Sequence, residues 1–365
     1  MGERARLLAL LAGGAPDRVP WYGDLSYWIP AALESGALGR EYAGDGVYAL
    51  HRDLGVGFYL QGYFPFRAVS GDGVEIESRT EGNARHTVTR TPISSLNQTE
   101  VYLPGSYTSA IVEHPVKDLR DLETYADLVE RTRFEPDYAE AIRRGALIGD
   151  LGVCLCYLPK SPFMELIALK SGVANVTEMR CEDEARFASI LARIERRMDA
   201  AAEISLAAPA ECLMLPENIS SEVVGKGPFL RYMDGWHRRW NGRIRGAGKV
   251  SFVHLDGTLR GLISEISAAG ARVIEALTPK PVGDLDVSEW IGRVGDHSIL
   301  WGGIPGALFS DHVSDAAFDE HVKRVLDAMA RVPRFVLGVA DQVPPGARIE
   351  RIARVREFVD RYGAY

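Results

Sequence analysis

The chain has 365 residues, 46% of them hydrophobic and 25% charged, with a formal net charge of −8 and an isoelectric point near 5.6. This balance supplies apolar material for a large core and leaves no basic footprint, which argues against nucleic acid as a partner. No apolar run approaches the roughly 20 residues of a membrane span, the opening MGERARLLALLAGG is too short in apolar residues for a signal peptide, and the four cysteines form no CxxC pair; a soluble protein of the reducing cytoplasm, with no membrane partner, is expected.

In chain order, Glu3 to Ala12 reads as a helix closed by Gly-Gly-Ala-Pro, RVPWYGDL as a first buried run and, after a helical stretch, DLGVGFYL (53–60) as a second. From Ala68 to Ile111 polar and apolar residues alternate, as in VEIES and RHTVTRTP, with turn formers in SGDG and TEGN. That pattern predicts an antiparallel β-meander inserted at about 68–111. From Val116 onward helical stretches alternate with apolar runs: ALIGDLGVCLCY (146–157), CLMLPEN (212–218), VSFVHLD (250–256), RVIEALTP (272–279), SILWGGIP (298–305) and RFVLGVADQ (334–342). Helix-like segments follow the last four: LRGLISEISAAG, VSEWIGRVG, AAFDEHVKRVLDAMARV and RIERIARVREFVDRYG. Eight runs with helices between them predict an α/β fold, a (β/α)8 TIM-type barrel forming a single domain over residues 1–365. Neither GxGxxG after a strand nor GxxxxGK[ST] occurs, so nucleotide binding lacks its usual signature.

A barrel of this type carries its active site at the C-terminal ends of the strands. The polar residues ending the runs are therefore candidates: Asp24, Tyr157, Glu217 with Asn218, His254 with Asp256, and Asp341 with Gln342. Period-2 geometry places Phe252, His254 and Asp256 on one face. Glu275, within RVIEALTP, shares a face with Val273 and Leu277, where a carboxylate is costly unless paired, protonated or metal-bound. His254 and Asp256 on the preceding run are its expected partners. Three readings fit the cluster: a divalent-metal site of His254, Asp256 and Glu275 with a position open to substrate, metal-free general acid–base chemistry, or a structural hydrogen-bond network.

Other features have plainer readings. Cys154 and Cys156 are expected in the core. Asn218 either caps ISSEVV or meets ligand, and Asp284 in PVGD suits a helix N-cap. Gly302 and Gly303 suit either ligand space or tight packing. WHRRWNGRIRG (236–246) fits the solvated end of a helix with snorkelling arginines better than an anion site.

RVP near the start, the β-rich insertion followed by TP, the ELI…SG helix, LPENISSEVVG, HLDGTLRGLI, IEALTPKPVGDL, ILWGGIPGALF and RFVLGVADQVPPGARIERI together resemble the uroporphyrinogen decarboxylase superfamily over about residues 18–363. That resemblance implies the barrel and two chemistries: the haem-pathway decarboxylase, and zinc methyltransferases that work with corrinoid proteins, such as methylcobamide:coenzyme M methyltransferase. The RQAGRY-like segment of the decarboxylase branch is replaced here by RVPWYGDLSYW with the single Arg18, which favours the methyltransferase-like branch. In that branch an HxC pair on the fifth strand, often a glutamate on the sixth, and a cysteine on the eighth hold zinc. Here these positions read His254-Leu255-Asp256, Glu275 and Ala340-Asp341, a harder donor set open to zinc and to other divalent metals.

The resemblance thus implies a metal-dependent methyltransferase acting with a corrinoid protein or on a small methylated substrate. His254, Asp256, Asp24 and Asp341 would be its catalytic residues, and Tyr22, Tyr157, Glu217, Asn218, Gly303 and Gln342 would line the substrate site. The alternatives are a metal-free decarboxylase or lyase of a carboxylated aromatic or tetrapyrrole, using Asp24 or Asp341 with His254, and a non-enzymatic corrinoid- or porphyrin-binding protein. The chain has no DxHxxG motif, so a corrinoid would arrive free or on a partner. A homodimer is carried over from relatives as an expectation.

Overall fold

Apolar runs and the turns between them set the architecture of the computed structural model, which describes residues 1–59 and 63–365. After helix α1 (Glu3–Leu11), the first two runs form the short strands β1 (Trp21–Tyr22) and β2 (Phe58–Tyr59), separated by α2 (Trp28–Ser35) and α3 (Val47–Asp53). Leu60, the last residue of the second run, lies outside the described residues. Strand β3 (Phe66–Val69) precedes the insertion, which is a four-stranded antiparallel meander of β4 (Glu75–Glu81), β5 (Ala84–Arg90), β6 (Ser95–Leu103) and β7 (Thr108–Glu113). The meander therefore begins and ends slightly later than the alternation suggests. Ala68, where the alternation starts, instead belongs to β3, which pairs antiparallel with β8 (Arg133–Pro136) beyond α4 (Leu119–Arg131).

The run 146–157 divides. Its first residues finish α5 (Ala139–Ile148), Gly149 ends that helix at φ +55°, and extended chain resumes in β9 (Gly152–Val153) and β10 (Leu155–Tyr157). The remaining elements are α6 (Pro162–Glu165), α7 (Gly172–Glu182), α8 (Glu184–Ala207), β11 (Cys212–Ile219), α9 (Lys226–Tyr232), α10 (Asp234–Gly246), β12 (Val250–Leu255), α11 (Ile263–Ala268), β13 (Val273–Leu277), β14 (Ile299–Pro305), α12 (Asp315–Met329), β15 (Phe335–Ala340) and α13 (Glu350–Tyr362). VSEWIGRVG, expected to be helical, makes only two 3-10 turns, Val287–Glu289 and Ile291–Arg293. An Asp286/Glu289 capping box starts it, but β-branched residues and Gly292 disfavour longer helix while buried Trp290 pins the segment.

Seven strands form a curled parallel sheet in the order β1-β15-β14-β13-β12-β11-β10. At its edges β2 pairs in parallel with β9, and a Tyr22↔Gly57 bridge links β1 to the chain entering β2. Residues on the concave face pack together: Tyr22, Tyr59, Leu155, Met214, Phe252, Val273, Trp301 and Val336, joined at one end by Leu7 and Leu10 of α1. The rings of Tyr22, Tyr59 and Phe252 lie 4.9, 5.0 and 5.5 Å from that of Trp301. Glycine is required beside this aromatic group, because a Cβ at Gly338 would stand 2.7 Å from the Trp301 ring. Arg4 of α1 bonds the Gly152 carbonyl and Glu211, at the N-terminal strand ends, so α1 closes that end. The opposite, C-terminal end is left for polar side chains.

Cys154 and Cys156 fall on the convex side, in the core under the helices, as expected. The arginines of 236–246 lie along α10, where Arg239 pairs with Glu195 and Asp199 and Arg243 with Glu203 of α8, and Arg238 pairs with Asp234 on its own helix. Among the described residues no helix is long and apolar enough to cross a membrane.

Candidate active site

The register of β12 and β13 sets His254 beside Glu275. One step later β13 bulges: Ala276 takes φ +63°, the register shifts between Ile274 and Leu277, and Leu277 turns into the outer core instead of sharing the face of Val273 and Glu275. Glu275 is thus the last inward residue of its strand, with no exposed surface. Its Oε2 lies 2.6 Å from His254 Nδ1, and its Oε1 accepts a hydrogen bond of 2.9 Å from Tyr59.

With Nδ1 on Glu275, the other ring nitrogen of His254 faces the mouth. Nε2 lies 3.5 Å from Asp256 Oδ1 and 3.6 Å from Asp341 Oδ1. One ligand atom each from His254, Asp256 and Asp341 lie within 4.8 Å of one another. The three mouth-facing groups are thus His254, Asp256 and Asp341, whereas Glu275, expected among the donors, meets Nδ1 at the back of the ring, the position a carboxylate takes behind a metal-binding histidine. The set of one imidazole and two carboxylates fits a divalent metal, with the imidazole oriented through Nδ1 by Glu275.

Electrostatics within the cluster are mutual. Burial opposes charge on His254, but the Glu275 carboxylate, with Asp256, outweighs it and holds the ring pKa well above 6.5. Burial likewise works against the Asp256 carboxylate, yet the His254 ring outweighs it and keeps its pKa below the ordinary value. Asp341 is pushed up to about 7, chiefly by burial, with His254 opposing and the carboxylates of Asp256, Glu275 and Asp24 adding.

The surrounding residues divide between site and scaffold. Asn218, at φ +53° where β11 shifts register, donates 2.9 Å from Nδ2 to Asp256 Oδ2, and no helix follows for it to cap before α9. Gln342 donates to Asp24 Oδ2 at 3.0 Å, and Asp24 also accepts from the Ser26 amide, so this pair shapes the rim. Tyr157 is half-buried at the end of β10 and meets Phe64 edge-on.

Three expected lining residues lie elsewhere. Tyr22 is wholly buried in the aromatic core, because it points inward one layer below the mouth. Glu217 has no exposed surface and faces the helices, accepting from the Ser161 amide and hydroxyl and lying 3.2 Å from His237 of α10; the register shift that turns Asn218 to the mouth turns Glu217 away. Gly303 packs under α12, where a Cβ would stand 2.9 Å from Val325, and its carbonyl accepts from His321. Gly302 likewise answers close packing, against β13. Asp284 caps not its own segment but the turn after β12, accepting from the amides of Leu259 and Arg260.

Two site residues went unmarked in the sequence. Tyr59 could have been found as the penultimate residue of DLGVGFYL. Lys160, in LPKSP, is buried just beyond β10, bonding the Pro216 carbonyl and, at 2.5 Å, Asn218 Oδ1. A lysine three residues past a strand end carries no signal of its own.

The fold and site define an α/β protein with a histidine–carboxylate cluster at the C-terminal ends of a curled parallel sheet. The chain belongs to the uroporphyrinogen decarboxylase (URO-D) family, whose model matches residues 91–362. Comparison with curated proteins gives no match. Among solved structures it is similar to a methyltransferase from Methanosarcina mazei, with a TM-score of 0.65, 14% identity and 99% of each chain covered. At that identity the likeness establishes the shared fold. The octameric ribulose-1,5-bisphosphate carboxylase/oxygenase of Pyrococcus horikoshii OT3 follows at a TM-score of 0.32 and 12% identity, covering 65% of this chain and 47% of its own, too low to carry an argument.

Proposed function

We propose that this chain is a (β/α)8-barrel methyltransferase that holds a divalent metal, zinc by preference, on His254, Asp256 and Asp341 and takes its methyl group from a corrinoid protein or a small methylated substrate. The observation that carries the reading is the convergence of three donors at the mouth with the histidine locked from behind by a buried glutamate. A bound divalent metal supplies Lewis-acid activation of the acceptor or donor heteroatom. The protein's own residues prepare that chemistry. Glu275 holds the His254 ring through Nδ1 and leaves Nε2 facing the mouth, where metal binding would displace its proton, and Tyr59 bonds Glu275. Asn218 restrains Asp256 Oδ2 while Asp256 Oδ1 faces the ring.

The mouth also bears on substrate. A cavity of about 410 Å³ opens there, lined by Tyr27, Asp256, Thr278, Val282, Asp341 and Gln342 among others, without an arginine or lysine among the described residues. Arg18, the single arginine near the first strand, bonds Asp360 at the other end of the fold. A polycarboxylated tetrapyrrole would meet carboxylates where it needs cations, which weighs against uroporphyrinogen decarboxylation. One observation favours a metal-free lyase as second reading: Asp341, with its pKa near 7, can offer a proton beside His254.

The test is a metal titration of demetallated protein with Zn²⁺, with methyl transfer from methylcobalamin to a thiol as the activity readout. One equivalent should bind, and His254→Ala and Asp341→Asn should lose both binding and transfer. Failure of the wild type to bind metal, together with CO₂ release from an aromatic carboxylate, would replace this reading with the lyase.

A further inference from the structure

We propose that a groove beside the barrel mouth binds an amphipathic organic monoanion, its acid group on Lys160 and its apolar body between the aromatic wall of β3 and β8 and helix α4. The groove encloses about 460 Å³ and is lined by Phe64, Phe66, Phe134, Leu128, Leu169 and Lys160, among others. That is the size and apolar character of a small-molecule site. Phe64 and Leu169 keep 40% and 38% of their surface exposed. Phe66 packs edge-on to both Phe64 and Phe134, so the wall offers ring faces and edges to a flat ligand. The floor at Leu166–Lys170 is a π-helical turn, a distortion frequent at functional sites, and it carries Leu169 and Lys170 into the groove.

Lys160 supplies the charge argument. It is 9% exposed, and its hydrogen bonds go to two neutral acceptors, the Pro216 carbonyl and Asn218 Oδ1, with no ion pair among the described residues. A buried ammonium with a third N–H to offer is costly unless an anion completes it. The groove's other cation is already matched: Lys170 lies 3.9 Å from Glu165 and over the Tyr125 ring, while Glu165 also accepts from Tyr125. The carboxylates of Glu217, Glu165 and Asp256 act on Lys160 without a direct ion pair among the described residues, so the groove offers one cation for a single acid group, and a second acid group would lie against Glu165. The groove communicates with the mouth through Lys160, Asn218 and Asp256. The inference does not rest on the metal reading.

The probes are 1-anilinonaphthalene-8-sulfonate and its uncharged counterpart N-phenyl-1-naphthylamine, titrated by fluorescence. The sulfonate should bind with one-to-one stoichiometry and about tenfold more tightly than the neutral probe. Lys160→Met should reduce it to the neutral probe's affinity. Ala68→Trp, at an exposed position on the groove wall, should abolish binding of both while leaving Zn²⁺ titration unchanged. Equal affinity of the two probes for the wild type, or sulfonate binding within twofold of wild type in Ala68→Trp, would overturn the proposal. Should Lys160→Met fail to fold, the probe pair and Ala68→Trp decide it.

Discussion

Glu275→Gln separates an orienting residue from a ligand. The carboxylate is fully buried, and among its partners it faces His254 Nδ1 at 2.6 Å with one oxygen and accepts from Tyr59 at 2.9 Å with the other. Glutamine fills the same space but has one oxygen, so Tyr59 and the His254 N–H can no longer both donate. The variant exchanges a charge-assisted bond, about 1.5–3 kcal/mol, for a neutral one and loses the charge that makes the imidazole a stronger donor. Changes to the partner behind a metal-binding histidine weaken metal affinity about 10–100-fold. Demetallated wild type, Glu275→Gln and Asp341→Asn would be titrated with Zn²⁺ against a chromophoric chelator, with circular dichroism to verify folding. Glu275→Gln should bind 10–100-fold more weakly than wild type, and Asp341→Asn, which loses a donor, more weakly still. Folded Glu275→Gln within twofold of wild type, or weaker than Asp341→Asn, would refute the assigned roles.

Three further predictions concern the scaffold. Glu217→Ala orphans the Ser161 amide and hydroxyl and leaves His237 buried without its partner, so denaturant unfolding should show a loss of about 3–5 kcal/mol with Zn²⁺ affinity unchanged if folded; weakened metal binding with normal stability would return Glu217 to the site. His51 has its pKa lowered to about 4 by burial, only partly offset by the carbonyls of Val56 and Gly57. Its unfolded form takes up a proton first, so stability should fall as pH drops from 6.5 to 4, by about 3 kcal/mol from this group, and a His51→Gln variant with an unchanged slope would contradict this. Gly338→Ala places a Cβ 2.7 Å from the Trp301 ring and should cost about 1–3 kcal/mol by overpacking, read as a lower thermal midpoint; an unshifted midpoint would mean that the aromatic core can yield.

Much of the cluster was legible because strand periodicity is local physics. A histidine and an aspartate two residues apart on an apolar strand share a face whatever surrounds them, and a glutamate inside the next apolar run needs a partner. The parallel sheet followed from the same alternation of runs and helices, although seven strands rather than eight form the continuous sheet and β2 pairs separately with β9. Periodicity failed where strands break register: Leu277 left the face of Glu275 at the Ala276 bulge, and Glu217 and Asn218 parted company at the end of β11. The run 146–157 misled because apolar residues closing a helix look like those opening a strand, and only Gly149 marks the change.

By itself, then, the sequence determined that His254, Asp256 and Glu275 are inward and polar, because hydrophobic burial and backbone pleating act over a few residues at a time where the strand keeps register. Tertiary structure alone decided their arrangement: Glu275 meets His254 Nδ1 from behind while Asp256 and Asp341 face Nε2, and Lys160 and Tyr59 lie beside them. The physical reason is distance through the fold, since Tyr59 and Glu275 are 216 positions apart in the chain and 2.9 Å apart in space.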